Sequence, residues 1–267
     1  MAFFQVNFFS PVLGFPSDIQ VYVPTPYSDD ELNDGDKSFF TDDAAFPVLY
    51  LLHGAYGDYT DWARLTGIER YAHSHRMAVV MPSVSNSFYQ DMVRGSACLS
   101  YLTEDLMPFV EKNFPVSTKR EDTFAAGLSM GGYGALRLAL EKPERFAACA
   151  SLSGAIDLEE TYAQTQRGDA PNPFNWGAVL GDPAHIAGSD ADLFALIRRL
   201  KEQKRPLPRI YQTIGTEDFL YEMNLGAKKK LEDLGVDLTY AEHPGIHDWI
   251  FWDTYIRDVL NWMVPRS

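Results

Sequence analysis

The 267-residue sequence has only two cysteines, Cys98 and Cys149, and a deficit of positive charge. Neither cysteine belongs to a CxxC pair or has metal-ligand spacing, so we expect two buried, reduced thiols and no metal site built on them. The formal net charge is −14, from 37 acidic against 23 basic residues. Because so acidic a surface repels polyanions, nucleic acid and anionic membranes are excluded as expected partners. A neutral small-molecule substrate fits this charge better.

Long apolar runs and a secretion signal are also lacking. No run reaches the ~18 uninterrupted apolar residues of a membrane span. Residues 1–9 are apolar, but they carry no basic n-region and no small-residue cleavage site. These features favour a cytoplasmic protein without a membrane segment.

Strand-length apolar runs alternate with helical periodicity from residue 47 onward. The predicted strands are 47–52, 78–81, 123–126, 146–152, 209–214 and 236–241. The predicted helices are 61–76, 99–110, the segment after the 127–131 turn, 190–204, 219–234 and 248–263, with Pro108 expected to kink or end the second. Segments 3–13 and 18–24 alternate apolar and polar residues around a turn, which is typical of an antiparallel pair. The pattern predicts one α/β domain over 1–267, with a mostly parallel central sheet, helices on both faces and the antiparallel N-terminal strand pair at one edge.

A candidate nucleophile lies in the segment Gly127–Gly131, which fits the GxSxG nucleophile-elbow pattern. An apolar strand precedes Ser129 and an Ala/Leu-rich helix follows it, as that pattern requires. Small residues on both sides let the strand and helix approach closely and tolerate strained backbone angles. Ser129 is therefore the expected nucleophile.

A serine hydroxyl needs a base and an acid that orients this base, and α/β-hydrolases carry them in the order Ser, Asp or Glu, His. Among the histidines after Ser129, His247 is preferred because it lies in a turn between the last strand and the last helix. His185 and His243 are the alternatives. The acid is expected just after the strand that ends at residue 214, where Asp218 is preferred and Glu217 remains open.

The oxyanion hole needs two backbone N–H donors. Met130, directly after the nucleophile, is expected to supply one, and the glycine-rich loop after strand 47–52 the other. Ala55 is the first candidate in that loop and Tyr56 the second. His53, in the same loop, is expected to make a structural hydrogen bond.

Two segments are longer than a compact fold requires. Residues 157–183 contain several Gly, Pro, Asn and aromatic residues and predict a lid-like insertion over the site. Trp176 and Phe174 from this insertion, together with Tyr56, are the expected substrate-binding residues. The acidic segment 27–46 predicts a solvated loop, because its aspartates do not match calcium-loop spacing.

Four motifs together resemble the esterase D group of α/β-hydrolases, and within it the bacterial tributyrin esterases. They are His53–Gly57, Gly127–Ala135, Gly215–Tyr221 and His247–Asp253. The resemblance spans nearly the whole chain. It implies the α/β-hydrolase fold, hydrolysis of short-chain acyl esters, a Ser129-Asp218-His247 triad, no cofactor and frequent homo-oligomers.

The sequence departs from one branch of that group. S-formylglutathione hydrolases of this group carry a cysteine just after the glycine and leucine of the oxyanion loop, whereas the corresponding positions here are Tyr56 and Gly57. This difference disfavours a thioester substrate, and S-formylglutathione hydrolase is kept as an alternative. Acetyl or feruloyl esterases of carbohydrates share every catalytic feature and remain alternatives. Two other classes stay open, an acyltransferase and a non-catalytic binding scaffold, although an intact set of catalytic residues disfavours the scaffold.

Overall fold

The computed structural model describes residues 1–26, 39, 41, 44–182 and 185–264. Within these residues, eight strands form one sheet in the order β1-β2-β4-β3-β5-β6-β7-β8. The strands are β1 (Ala2–Ser10), β2 (Phe15–Val23), β3 (Val48–Leu52), β4 (Ala78–Pro82), β5 (Thr123–Leu128), β6 (Ala148–Leu152), β7 (Arg209–Gly215) and β8 (Leu238–His243). Most of the predicted acidic loop 27–46 lies outside the described residues.

Strands β3 to β8 run parallel to one another, whereas β1 pairs with β2 and β2 with β4 in antiparallel register. The predicted parallel sheet with an antiparallel N-terminal pair at one edge is therefore confirmed. Because carboxyl ends of parallel strands meet at one sheet edge, the loops after β3, β5, β7 and β8 converge there.

Ten α-helical segments are present in the described part of the chain. They are α1 (Asp61–Leu65), α2 (Ile68–His73), α3 (Cys98–Ser100), α4 (Met107–Asn113), α5 (Met130–Glu141), α6 (Leu158–Arg167), α7 (Trp176–Val179), α8 (Leu193–Glu202), α9 (Tyr221–Asp233) and α10 (Trp249–Met263). None of these helices is long and apolar enough to cross a bilayer.

Helices cover both faces of the sheet, and β3 shows this most directly. Tyr50 and Leu52 join one apolar cluster, which includes Leu136 of α5. Leu49 and Leu51 join the other, which includes Ile256 of α10. Since successive side chains of a strand point to opposite faces, a continuous apolar run is what a strand buried on both faces requires.

Two predicted helices differ in detail. The helix expected over 61–76 is divided into α1 and α2 at Thr66, whose backbone is extended, and the following Gly67 N–H donates to the Asp253 carboxylate of α10 at 2.7 Å. The second begins as α3, continues as a π-helix over Tyr101–Leu106 and ends as α4. Pro108 lies in the first turn of α4, which directly follows this π-helix, so the helix changes its hydrogen-bonding pattern near the proline and does not end there.

Candidate active site

Ser129 lies at the sharp turn between β5 and α5, with φ 52° and ψ −120°. A side chain at this positive φ is strained, and such strain persists only where surrounding contacts hold it. The Ser129 N–H donates to Leu152 O at 3.0 Å, and the Ser129 carbonyl accepts from Ala155 N–H at 3.1 Å. These bonds to the neighbouring strand and its loop fix the turn.

Two glycines make the turn sterically feasible. A Cβ on Gly127 would collide with the carbonyl of Gly131, and a Cβ on Gly131 would collide with the carbonyls of Leu52 and His53. Strand β5, helix α5 and the loop after β3 thus approach each other through bare backbone. The close approach brings the nucleophile candidate and the loop of the predicted oxyanion hole to one place.

The predicted base and acid are in direct contact. His247 Nδ1 lies 2.8 Å from Asp218 Oδ2 and 3.1 Å from Oδ1. The Asp218 side chain is fully buried and that of His247 is 15% exposed. The Leu220 N–H also donates to Asp218 Oδ1 at 2.9 Å, which fixes the carboxylate in place. A carboxylate on Nδ1 leaves Nε2 of the imidazole to take up a proton from another group.

Two aromatic side chains also contact the His247 imidazole. Phe219 lies 4.6 Å from it, between ring centroids, and Trp252 of α10 makes an edge contact at 4.9 Å. Neither aromatic residue was predicted as part of the site. Both are adjacent in sequence to the acid or to the base motif, but only the fold shows that they contact the ring.

The alternatives for acid and base lie elsewhere. Glu217 is exposed, and Gly245 N–H donates to its carboxylate at 2.6 Å, which is the main reason that the Glu217 pKa is lowered. His243 stacks on Tyr255 at 4.0 Å between ring centroids. His185 is 83% exposed and lies beside Asp182.

The two candidate N–H donors in the loop after β3 differ in their hydrogen bonding. The Tyr56 N–H donates to Asn86 Oδ1 at 2.8 Å, so it already has an acceptor. The Ala55 N–H has no hydrogen-bond acceptor among the described residues. Met130 is the first residue of α5, where backbone N–H groups lack an intrahelical acceptor. Ala55 and Met130 are thus the better-placed pair of donors.

His53 has a structural environment. Its Nδ1 lies 2.7 Å from Gly54 O, and its Nε2 accepts from Val84 N–H at 3.1 Å. Burial lowers the pKa of this imidazole. Since both ring nitrogens are occupied, His53 fixes the loop and is unsuited to proton transfer.

A cavity of about 530 Å³ opens at this edge of the sheet. Ser129, His247, Ala55, Met130 and Tyr56 line it together. Its remaining lining residues are Gly54, Gly57, Asp61, Leu65, Phe88, Leu128, Ala155, Thr161, Thr165, Ala170, Pro171, Pro173, Phe174, Phe219, Leu220, Trp249 and Trp252. The volume suits a small organic ligand.

The structure corrects the prediction for Trp176. Phe174 lines the cavity, but Trp176 does not. The indole is buried behind the wall and stacks on Phe88 at 5.1 Å between ring centroids. Its Nε1 donates to Thr165 Oγ1 and Asn172 Oδ1, at 3.1 and 3.0 Å. Hydrogen bonding and burial assign Trp176 to support the wall rather than to contact the ligand.

Comparison with known proteins decides the family. The profile of the Esterase family matches residues 10–263. The chain belongs to this family of esterases. An acetyl esterase of Caldicellulosiruptor saccharolyticus is 34% identical over the full length of both chains.

Solved structures agree with this assignment. A fluorophosphonate-binding serine hydrolase of Staphylococcus aureus is 33% identical, with a TM-score of 0.88 over 99% of both chains. An S-formylglutathione hydrolase of the same organism is also 33% identical, with a TM-score of 0.84 over 98% of both chains. The esterase therefore has the α/β-hydrolase fold and is a carboxylic ester hydrolase, as its sequence predicts.

Proposed function

We propose that this esterase hydrolyses short-chain acyl esters through a Ser129-His247-Asp218 triad. The observation that carries the proposal is that a strained serine and an Asp-paired imidazole line the same cavity. Such an arrangement serves nucleophilic catalysis, because a serine hydroxyl becomes reactive only with a base within reach.

In the proposed reaction, Ser129 Oγ attacks the ester carbonyl while His247 Nε2 takes the hydroxyl proton. The carbonyl oxygen becomes an oxyanion, which the N–H groups of Ala55 and Met130 stabilise. Collapse of the tetrahedral intermediate breaks the ester C–O bond, and His247 returns its proton to the leaving alcohol. Water then attacks the acyl-enzyme by the same steps, releases the carboxylic acid and restores Ser129. Asp218 holds the imidazole tautomer throughout.

The acyl group is proposed to be short, as in a tributyrin esterase or an acetyl esterase. Part of the cavity is closed by segment 157–182, which supplies Phe174 and Thr161 to the wall. We regard this segment as a lid-like insertion in a single catalytic domain. A cavity of about 530 Å³ accommodates an acetyl or butyryl group with a modest alcohol.

Hydrolysis of a thioester is the second candidate, since the S-formylglutathione hydrolase relative is 33% identical over nearly the whole chain. Exposed Tyr56 is the feature that disfavours it, because that branch carries a cysteine at this place in the loop. Comparing S-formylglutathione with a formyl or acetyl oxygen ester separates the two candidates.

The test uses p-nitrophenyl acetate, butyrate and octanoate with wild-type protein and with Ser129→Ala. We expect kcat/KM to fall from butyrate to octanoate, and turnover by Ser129→Ala to fall by about 10⁴-fold or more. Ser117→Ala is a matched control, since Ser117 lies outside the cavity and contacts Asp122. Wild-type turnover in Ser129→Ala would contradict the proposed nucleophile.

A further inference from the structure

The two walls of the cavity differ in chemistry. One wall comes from α1 and α10, where Trp62 and Trp249 make an edge contact at 5.4 Å between ring centroids. Asp61 and Leu65 of α1 and Trp249 and Trp252 of α10 line the cavity on this wall. The second wall, from the lid-like segment and residue 88, consists of apolar side chains and two threonines. The α1/α10 wall is therefore the one with a carboxylate.

Asp61 is the only carboxylate among the described residues that line the cavity, and none of those residues is Lys or Arg. The Asp58 N–H donates to its carboxylate, but no Lys or Arg of the described chain forms an ion pair with it. Oδ2 occupies the space where a Cβ of residue 57 would lie. The absence of a side chain at Gly57 thus opens the way from the oxyanion loop to this carboxylate.

Burial raises the pKa of Asp61, and the neighbouring Asp58 raises it further. A carboxylate that has lost part of its hydration gains from any hydrogen-bond donor that reaches it, and it strongly disfavours a second negative charge. Both effects act on whatever part of the substrate lies along the α1/α10 wall.

The proposed mechanism indicates which part of the substrate this is. His247 protonates the leaving alcohol, so the alcohol must lie on the side of the imidazole. The imidazole contacts Trp252, which belongs to the same wall as Asp61. The alcohol portion is thereby directed toward Asp61 and the acyl portion toward Phe174 and Phe88.

We propose that Asp61 is a specificity-determining residue which selects esters of hydroxyl-bearing alcohols and rejects esters whose alcohol part is an anion. This inference rests on the proposed esterase function and names the alcohol class of its substrate. Free hydroxyl groups of a polyol acetate donate to the Asp61 carboxylate, whereas a carboxylate in the same position is repelled.

Three acetates with three-carbon alcohols provide the test. They are 1-propyl acetate, glycerol 1-acetate and 3-acetoxypropionate, which differ in hydroxyl groups or charge at nearly constant size. For wild-type protein we expect kcat/KM to be highest for glycerol 1-acetate. We expect kcat/KM for 3-acetoxypropionate to be lower than that for 1-propyl acetate by about tenfold or more, because its carboxylate faces the like charge of Asp61. Monoethyl succinate places the negative charge on the acyl side instead, and ethyl butyrate is its neutral counterpart.

The variants are Asp61→Asn and Asp61→Ala, with Asp58→Asn as matched control. Asp58 is exposed, lies outside the cavity and binds Thr60 through its side chain, so its replacement removes the same charge three residues away. Asp61→Asn should bring 3-acetoxypropionate to within about threefold of 1-propyl acetate, and Asp61→Ala should abolish the preference for glycerol 1-acetate. Asp58→Asn should keep the wild-type pattern.

Turnover of p-nitrophenyl acetate separates this inference from the function on which it rests. Suppose that this turnover depends on Ser129 and is retained in both Asp61 variants. If both variants then rank the three acetates as the wild type does, Asp61 does not determine specificity. A ranking that changes equally in Asp58→Asn, or a penalty found only with monoethyl succinate, likewise overturns the inference. Loss of p-nitrophenyl acetate turnover in one variant leaves the other to decide.

Discussion

Glu217 and Gly245 are joined by two reciprocal hydrogen bonds. The Gly245 N–H donates to Glu217 Oε2 at 2.6 Å, and the Glu217 N–H donates to Gly245 O at 3.0 Å. This pair ties the loop after β7, which carries Asp218, to the loop after β8, which carries His247. The two neighbouring acids therefore have different tasks, one fastening the loops and the other contacting the imidazole.

The first prediction compares these two acids. Asp218→Asn should lower kcat on p-nitrophenyl acetate by about 10³-fold to 10⁴-fold, because an amide favours the wrong imidazole tautomer. Glu217→Gln should lower it by less than about threefold, since the amide oxygen still accepts from Gly245 N–H. Steady-state kinetics on both variants measures this. A large loss in Glu217→Gln with full activity in Asp218→Asn would move the acid by one position.

The second prediction concerns backbone strain at residue 129. Its φ of 52° and ψ of −120° are unfavourable for a residue with a Cβ and acceptable for glycine. Ser129→Gly should therefore be more stable than Ser129→Ala by about 1 kcal/mol, although both lack a nucleophile. Urea unfolding of the two inactive variants gives the comparison. Equal or lower stability of the glycine variant would show that this turn carries no strain.

The third prediction tests the close approach at the elbow. Gly127→Ala should destabilise the protein by about 3 kcal/mol, because its Cβ would collide with the Gly131 carbonyl. Gly226→Ala is the control. Apart from the backbone of its own helix, no atom lies within 4 Å of the Cβ that this substitution would add. Because Gly226 lies inside α9, the substitution should stabilise the protein by about 0.5–1 kcal/mol. Thermal and urea unfolding distinguish the two.

The sheet and the candidate catalytic residues could be predicted from the sequence for physical reasons. The continuous apolar runs could only be strands buried on both faces, and the carboxyl ends of parallel strands meet at one edge. Ser129 follows the buried strand β5 directly, Asp218 lies in the loop after the buried strand β7, and His247 lies in the loop after the edge strand β8. Their proximity therefore depended only on the order of elements, and the contact between His247 and Asp218 follows from it.

Other features depended on contacts between distant segments. The break between α1 and α2 involves Gly67 and Asp253, which are 186 positions apart. Asp61 lines the cavity from α1, whose Trp62 packs on Trp249 of α10, a contact that a periodic pattern does not encode. Trp176 was predicted to bind substrate because it is an aromatic residue of the lid-like segment. Its indole instead donates to Thr165 and Asn172 behind the cavity wall.

The fourth prediction concerns pH and His53. Burial lowers the pKa of this imidazole from its ordinary value of 6.5, so the unfolded chain binds the proton at a higher pH than the folded protein. The stability that neutral His53 contributes is present above pH 6.5 and is lost as the pH falls below that value. We expect Tm to fall more steeply on acidification in wild type than in His53→Asn.

Thermal melts at a series of pH values test this, with His185→Gln as the matched control. His185 is 83% exposed, so its replacement should leave the slope of the wild type unchanged. Parallel slopes for wild type and His53→Asn would contradict a buried neutral imidazole as a source of acid sensitivity.

The last prediction concerns Phe174, which lines the cavity in front of Trp176 and Phe88. Its ring centroid lies 4.4 Å from that of Phe88 and 5.0 Å from that of Trp176, so Phe174→Ala should open space on the proposed acyl side. The ratio of kcat/KM for octanoate to that for acetate should rise by about tenfold, since a longer chain then fits. Phe9→Ala removes an equal ring that is 61% exposed on β1 and should leave the ratio unchanged. An unchanged ratio in Phe174→Ala would instead mean that the acyl chain lies along another wall of the cavity.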